Sequence, residues 1–314
     1  MGDVMSNEWQ YKLLKGLSAL VCKLSYSTVL SVGKGLGPIY GIIVKKQKKR
    51  GIRNAMIGMN MTEREAEKLM DDLFAHLGQA ALEMLYMPNL TKEFIEEHVE
   101  IIGLENLEEA LAEDKGVIVL TAHVGNWEWM GAALASYGYP TTTIVKKQPN
   151  AQFTRLLNEY REAAGLEVFA RGGSEIVKAA KALKKKKILG FLADQDGNIQ
   201  GLPVEFLGQM SSAVLGPATF AQKFGSPIIP MFAARKENGN HEVHILPMMR
   251  YVDTGNEEED MYRLTEECVK VTEEFIRQHP KNWVWFQHRW NTKPDQIEDF
   301  ERKMAVRESV HAKK

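Results

Sequence analysis

The chain has 314 residues, 44% of them hydrophobic and 26% charged, with a formal net charge of −1. That length buries a substantial core in one large domain or two small ones, and that balance excludes a generally basic nucleic-acid binder. Two cysteines, Cys22 and Cys268, are too few for a disulfide framework or a cysteine-based metal site, so a reducing compartment is the default expectation.

The charge is unevenly placed. Basic residues crowd positions 12–53, with five in the run "KKQKKR" at 45–50, whereas the region after Asp253 is acidic. The N-terminal block therefore suits an anionic membrane surface. Within it, Leu13, Leu17, Leu20 and Leu24 recur at helical spacing, and a second apolar stretch, "TVLSVGKGLGPIYGIIV", runs into the basic cluster. The pattern is that of amphipathic helices, and two readings stay open: helices lying in a membrane interface, or helices packed on a core. No run reaches the roughly 18 uninterrupted apolar residues of a spanning helix. The stretch at 17–22 is broken by Lys23 with no small-residue cleavage pattern behind it, so no signal peptide is expected.

"MTEREAEKLMDDLFAHLGQAALEMLYM" opens with Thr62-x-x-Glu65, a capping box, and continues at helical period. From Val99 the texture becomes an alternation. "VEIIG" reads as a strand, "LENLEEALAE" as a helix and "GVIVL" as a buried strand. A helix from about Trp127, the strand "TTTIVK", a helix over 150–164, the strand "LEVFA", a helix over 174–187 and the strand "ILGFLAD" follow. A glycine-containing loop then leads to a helix near 214–224, the strands "PIIPMFAAR" and "HEVHILP", and an acidic helix over 257–279. The spacing predicts an α/β fold: a single domain over 55–300 with a central mixed, largely buried sheet flanked by helices. N-terminal amphipathic helices occupy 1–54, and a polar tail 301–314.

The stretch that bears on chemistry is "VIVLTAHVGNWEWMG", residues 117–131. A buried strand ends there, and His123, Gly125, Asn126 and Glu128 occupy the turn into the next helix. Strand ends of this kind are where open α/β sheets place ligands. Asn126 suits the N-cap, Gly125 allows a tight turn, and Glu128 falls in the first helical turn, where the dipole favours its ionised form. A carboxylate near an imidazole fixes its tautomer and stabilises the imidazolium, which makes a general base. The spacing alone carries no weight: with eight histidines and 41 acidic residues, chance puts an acid at a given offset from about one histidine. Local residues leave a catalytic dyad and a plain capped turn equally open.

Beyond these residues there is a resemblance. "HVGNWE" resembles the H-x4-D/E motif of glycerolipid acyltransferases in the Gly-Asn-Trp-Glu form of the late lipid A acyltransferases, the lauroyl and myristoyl transferases. "FLADQDGN" at 191–198 is similar to that family's Asp-Gln block, "LPVEFLGQMSSAVLGPATFAQKFGSPIIPMF" to its V-x-F-F-G segment and following helix, and "WVWFQHRW" at 283–290 to its closing signature. The blocks stand in order over about residues 10–295.

The resemblance implies transfer of a fatty acyl group from acyl-carrier protein, or acyl-CoA, to a hydroxyl of a lipid A precursor at the cytoplasmic face of the inner membrane. His123 would act as base with Glu128 orienting it. The acceptor oxygen is the nucleophile and a thioester is already activated, so no covalent intermediate, metal or organic cofactor is expected. Another glycolipid acceptor of the phosphoinositol mannoside type, a catalytically silent member and a hydrolase are the rival readings.

Other residues enter as candidates for substrate binding. Asn126 lies in the motif. Arg161 and Arg171 match positions where the family carries arginines able to hold an anionic acceptor group or an oxyanion. Asp194, Gln195 and Asp196 end a buried strand on the sheet edge of His123, either to bind hydroxyls or to build the loop. Glu205 aligns with an acceptor-binding acid of wider acyltransferases, or merely faces outward from a strand. "DQDGN" is not a calcium loop, because its glycine stands fourth rather than sixth. His241 and His244, three apart on a strand, face opposite sides and imply no metal. The lysines at 184–187 close a helix, or meet the acidic carrier protein. His288, Arg289 and Trp290 are expected to be structural.

Overall fold

The computed structural model describes residues 2–145, 150–170, 175–291, 296, 298–299 and 302. Three helices open it: α1 (Gly2–Val21), α2 (Tyr26–Ile43) and α3 (Lys45–Met59). The boundary expected at residue 54 falls inside α3. The expected capping box starts α4 (Glu63–Tyr86): the Glu65 amide donates to Thr62 Oγ1 and the Thr62 amide to the Glu65 carboxylate.

The side chains of α2 are arranged inside out. Its small residues Gly33, Gly37 and Gly41 are buried, while Val32, Leu36, Ile39, Tyr40, Ile42 and Ile43 are exposed. The glycines let α2 lie directly on α4. A Cβ on Gly37 would meet the Phe74 carbonyl oxygen at 2.1 Å, and one on Gly78 of α4 would meet the Gly33 carbonyl at the same distance. Small residues at a helix contact with large apolar residues turned outward leave α2 with an exposed apolar face, a pattern shared with helices that pack in lipid. Among the described residues no single helix is long and apolar enough to cross a membrane; α2 and α3 meet at a bend of 97°.

Past α5 (Lys92–His98), strands and helices alternate as the sequence predicts. They are β1 (Val99–Ile102), α6 (Leu104–Ala112), β2 (Val117–Thr121), α7 (Trp127–Ser136), β3 (Thr141–Val145), α8 (Ala151–Ala163) and β4 (Glu167–Ala170). Then come α9 (Glu175–Lys184), β5 (Ile188–Leu192), β6 (Leu202–Phe206), β7 (Gln209–Ala213), α10 (Gly216–Phe224), β8 (Ile228–Arg235), β9 (His241–Ile245) and α11 (Glu257–Gln278). Seven strands form one mixed sheet in the order β1-β9-β8-β2-β5-β3-β4. Neighbours run parallel except β8 and β9.

The sheet is covered on both faces. On β2, Val117 and Val119 join the core beneath α6, α7 and α8, while Ile118 and Leu120 join the core beneath α9, α10 and α11. That is why β2 reads as an unbroken apolar run rather than an alternation. A third cluster, containing Ala122, Val124, Phe206, Trp283 and Trp285, closes the end of the sheet where β2 and β5 terminate. α5 was not expected from the sequence, and a further departure from the expected order of elements lies at this sheet end. The segment read as a loop before α10 contains an antiparallel hairpin, β6–β7. It turns at Leu207 and Gly208, both at positive φ (50° and 73°), as a two-residue hairpin turn requires. Leucine is not a turn former; Leu207 holds that conformation because its side chain is fully buried.

Candidate active site

Parallel register brings the first two site residues together. Thr121 pairs with Leu192 across β2 and β5, and His123 and Asp194 each stand two residues beyond that pair. Chain positions equivalent in a parallel ladder emerge side by side at the same sheet edge. The His123 amide donates to Asp194 Oδ2 at 2.9 Å, and ring Nδ1 lies 2.8 Å from Oδ1.

Asp194 is buried and its carboxylate is held in a cage. Trp283 Nε1 donates to Oδ2 at 2.8 Å and Gln287 Nε2 at 2.7 Å. Burial opposes its ionised form, but the His123 charge and hydrogen bond, with the Gln287 and Trp283 donors, hold the carboxyl well below the usual range. For His123 burial works against the imidazolium, and the Asp194 charge and hydrogen bond outweigh it, with a smaller contribution from Glu128, so its pKa is raised. With Nδ1–H donated to Asp194, Nε2 is left as the basic nitrogen. The ring is not sealed in: a quarter of its side chain remains accessible.

Glu128 takes a different place from the one expected. Its carboxylate receives both prongs of the Arg161 guanidinium, Nε at 2.7 Å and Nη2 at 2.5 Å, besides Trp127 Nε1 at 3.2 Å. Five positions along the chain bring Glu128 close enough to act on the imidazole through its charge, but the first turn of α7 directs the side chain towards α8. Asp194, not Glu128, bonds the ring. Arg161 therefore belongs to the site as the bidentate partner of Glu128.

The turn between His123 and α7 is stapled from behind. Gly125 sits at φ 60°, and a Cβ there would meet the Ala233 carbonyl oxygen at 2.2 Å, so both shape and space require glycine. Its amide donates to the Asn282 carbonyl, and the Val284 amide to the His123 carbonyl. Asn126 caps α7 as expected: its Oδ1 accepts from the Trp129 amide. Its Nδ2 donates to Glu83 Oε2 at 2.7 Å. Both ends of that amide are engaged inside the protein, so Asn126 shapes the turn from within.

Glu83, fully buried on α4, escaped the sequence reading. Besides Asn126 it accepts from Tyr26, from Arg235 through both terminal nitrogens, and lies 3.0 Å from His241 Nε2. Burial penalises its carboxylate, yet His241 and Arg235 hold it below the ordinary range, while burial pushes His241 down. A sequence signal exists: Glu83 is the lone charge in the apolar run "AALEMLYM". Charges are seldom buried without partners.

The remaining candidates separate. Asp196 builds its loop, accepting from the amides of Asn198 and Asn291. Gln195 and Glu205 are exposed, Glu205 on the outer side of the β6–β7 hairpin. Arg171 lies outside the described residues, as does most of the 301–314 tail. Arg289 is buried and structural as expected, donating to the Ser212 carbonyl and stacking over Phe206. Burial pulls its pKa down to about 10.

Behind Glu128 and Arg161 an apolar pocket runs between the sheet and α7, lined by Val119, Met130, Gly131, Leu134, Leu166 and Leu192. Trp127, whose ring lies edge-on to His123 at 5.1 Å, borders it. An Asp–His pair, a Glu–Arg ion pair and an apolar pocket thus stand close together at one sheet end, the combination of a few polar groups beside apolar lining that ligand sites share.

The model of a family described as bacterial lipid A biosynthesis acyltransferase matches residues 4–292. A lipid A biosynthesis acyltransferase of Haemophilus influenzae is 27% identical over 83% of this chain and 80% of its own. The lipid A biosynthesis lauroyltransferase of Escherichia coli is 22% identical over 92% and 94%. A phosphatidylinositol mannoside acyltransferase of Mycolicibacterium smegmatis is 25% identical over 66% and 67%.

Proposed function

Because the chain belongs to the family of bacterial lipid A biosynthesis acyltransferases, we propose that it moves a fatty acyl group from an acyl-carrier protein thioester to a hydroxyl of a lipid A precursor. The observation that carries the chemistry is the Asp194–His123 pair, whose imidazole packs against Trp127 at the border of an apolar pocket. His123 Nε2 takes the acceptor hydroxyl proton as that oxygen attacks the thioester carbonyl. Asp194 fixes the ring with Nδ1 protonated and stabilises the imidazolium that forms. The tetrahedral intermediate collapses by expelling the carrier thiolate, which takes the proton back from His123. The acyl chain lies in the pocket lined by Gly131 and Leu166. Arg161, held in place by Glu128, offers positive charge to the carbonyl oxygen as it becomes an oxyanion.

The acceptor is membrane-borne, and the N-terminal helices suit such a surface. The outward apolar residues of α2 lie beside the basic run at 45–50, a combination that favours insertion among anionic headgroups on the cytoplasmic face of the inner membrane. A second acceptor class, a phosphoinositol mannoside, is supported by the similarity to the Mycolicibacterium protein.

The test is acyl transfer from lauroyl- or myristoyl-acyl carrier protein to a tetra-acylated lipid A precursor, with wild type and a folded His123→Ala variant. Acylated lipid from the wild type and a loss of about a hundredfold or more in the variant are expected. Release of free fatty acid would make the protein a hydrolase. Equal activity in the variant would remove His123 from the chemistry.

A further inference from the structure

A second cluster of chemically competent side chains lies away from the acyl-transfer site, on the sheet face beneath the end of α11. Alternation along β9 turns His241, Val243 and Ile245 into the core and leaves Glu242 and His244 together on the opposite side. His279, the C-cap residue of α11, joins them from far along the chain. The carboxylate oxygen and the two imidazole nitrogens all lie within 4.8 Å of one another.

We propose that Glu242, His244 and His279 bind a divalent transition-metal ion, with Zn2+ the best match. Two imidazoles and a carboxylate form a donor set well suited to zinc, which water completes to four-coordination. Zinc–ligand bonds of about 2.0–2.2 Å put tetrahedral ligand atoms roughly 3.3 Å apart. His244 Nε2 and Glu242 Oε1 already stand at 3.1 Å. Closing the two edges to His279 requires shortening each by no more than about 1.5 Å.

Two further observations favour a ligand over a simple ion pair. His244 Nε2 is buried and makes no hydrogen bond among the described residues, so the short approach to Glu242 is not a well-aligned donor–acceptor contact. The His279 ring is held by stacking on Phe275 at 4.4 Å, and Phe275 also packs edge-on against His244. One phenyl ring thus walls the cluster and limits its exposure to water, which strengthens charge–ligand attraction.

The position gives the ion a structural role. The Asn282 amide donates to the His279 carbonyl, and Asn282 leads into Trp283, which donates to Asp194. A metal at His279 would tie β9 to the segment that holds the Asp194 cage, so it would stabilise the fold without touching substrate.

The experiment uses the full chain in detergent, stripped with a chelator, dialysed and returned to one equivalent of ZnCl2. The expected result is one zinc bound per chain and a Tm raised by several degrees. His288→Gln, an exposed histidine outside the cluster, should keep both, whereas His279→Gln and His244→Gln should lose them. Cobalt(II) added to the stripped wild type should give the strong visible absorption of a four-coordinate site, a readout independent of how the variants fold. No shift with zinc, a shift retained in His279→Gln, or only the weak absorption of six-coordinate cobalt would overturn the assignment.

Discussion

Asp194 and His123 face each other from the ends of adjacent parallel strands, Oδ1 2.8 Å from ring Nδ1 and Oδ2 2.9 Å from the His123 amide. One carboxylate thereby fixes both the backbone and the tautomer of the histidine. Exchanging that carboxylate for an amide would keep the shape and remove the charge. Asp194→Asn should lower kcat by about two to four orders of magnitude with little change in KM, as expected when the group that orients a general base is neutralised. The pH profile supplies a second signature. The base works only as neutral imidazole, so activity falls as pH drops through its pKa. Asp194 raises that pKa above the ordinary histidine value, which shifts the acid limb of the wild type to higher pH and moves it down in Asp194→Asn. Rates measured across pH decide the matter; a limb that stays in place would separate Asp194 from the titration of His123.

How much of this site was legible follows from which relationships are local. His123 at the end of a buried strand, the Asn126 cap and the Gly125 turn are written within a few residues, and the sheet edge shared with Asp194 follows from the alternation of strands and helices. The identity of the acid that bonds the ring is not local. It depends on the β2–β5 register, Thr121 against Leu192, and on the direction of the Glu128 side chain, and spacing along the chain specifies neither. The hairpin was hidden for a similar reason: burial, not propensity, holds Leu207 in its turn. Glu83 was hidden because a single acid in an amphipathic helix looks ordinary until its partners arrive from α2, α7, β8 and β9.

Glu83 is the member of that set whose loss should unfold rather than inactivate. Glu83→Ala strands the Arg235 guanidinium, itself only 6% exposed, and removes the acceptor for Asn126. Breaking a buried pair from one side costs about 3–5 kcal/mol. For a chain of this size the loss in Tm should be on the order of 10 °C, read by thermal denaturation. A double replacement of Glu83 and Arg235 by apolar residues should recover part of that loss. A single variant within a degree of wild type would mean that water satisfies the arginine.

The proposed membrane attachment can be tested apart from folding because the buried glycines and the exposed apolar residues of α2 occupy different faces. Ile39 and Ile43 are 54% and 73% exposed, and the pair Ile39→Lys and Ile43→Lys should leave Tm almost unchanged while co-sedimentation with anionic vesicles falls at least tenfold. Burying either side chain in the interface contributes about 1.5–3 kcal/mol. Gly37→Leu should do the reverse damage, since its Cβ would strike the Phe74 carbonyl and force α2 off α4. Undiminished sedimentation of the lysine variant would place the membrane-binding face elsewhere.

The pocket behind the Glu128–Arg161 pair offers a test of where the acyl chain runs. Gly131 on α7 faces Leu166, and a Cβ there would come within 2.8 Å of Leu166 Cδ2, the flexible end of a side chain that is able to give way. Gly131→Leu should therefore fold, and its isobutyl group should occupy space between α7 and β5. Each methylene of a donor chain that no longer fits forfeits about 0.8 kcal/mol, roughly fourfold in kcat/KM. Competition between donors of increasing length should show the variant favouring shorter chains than the wild type, with the rate on its preferred donor largely kept. An unchanged length preference in a folded variant would put the acyl chain outside this pocket. A second cavity, beside Asp194 and lined by Leu120, Phe206 and Val269 beneath α11, would then be a place to test by the same substitution strategy.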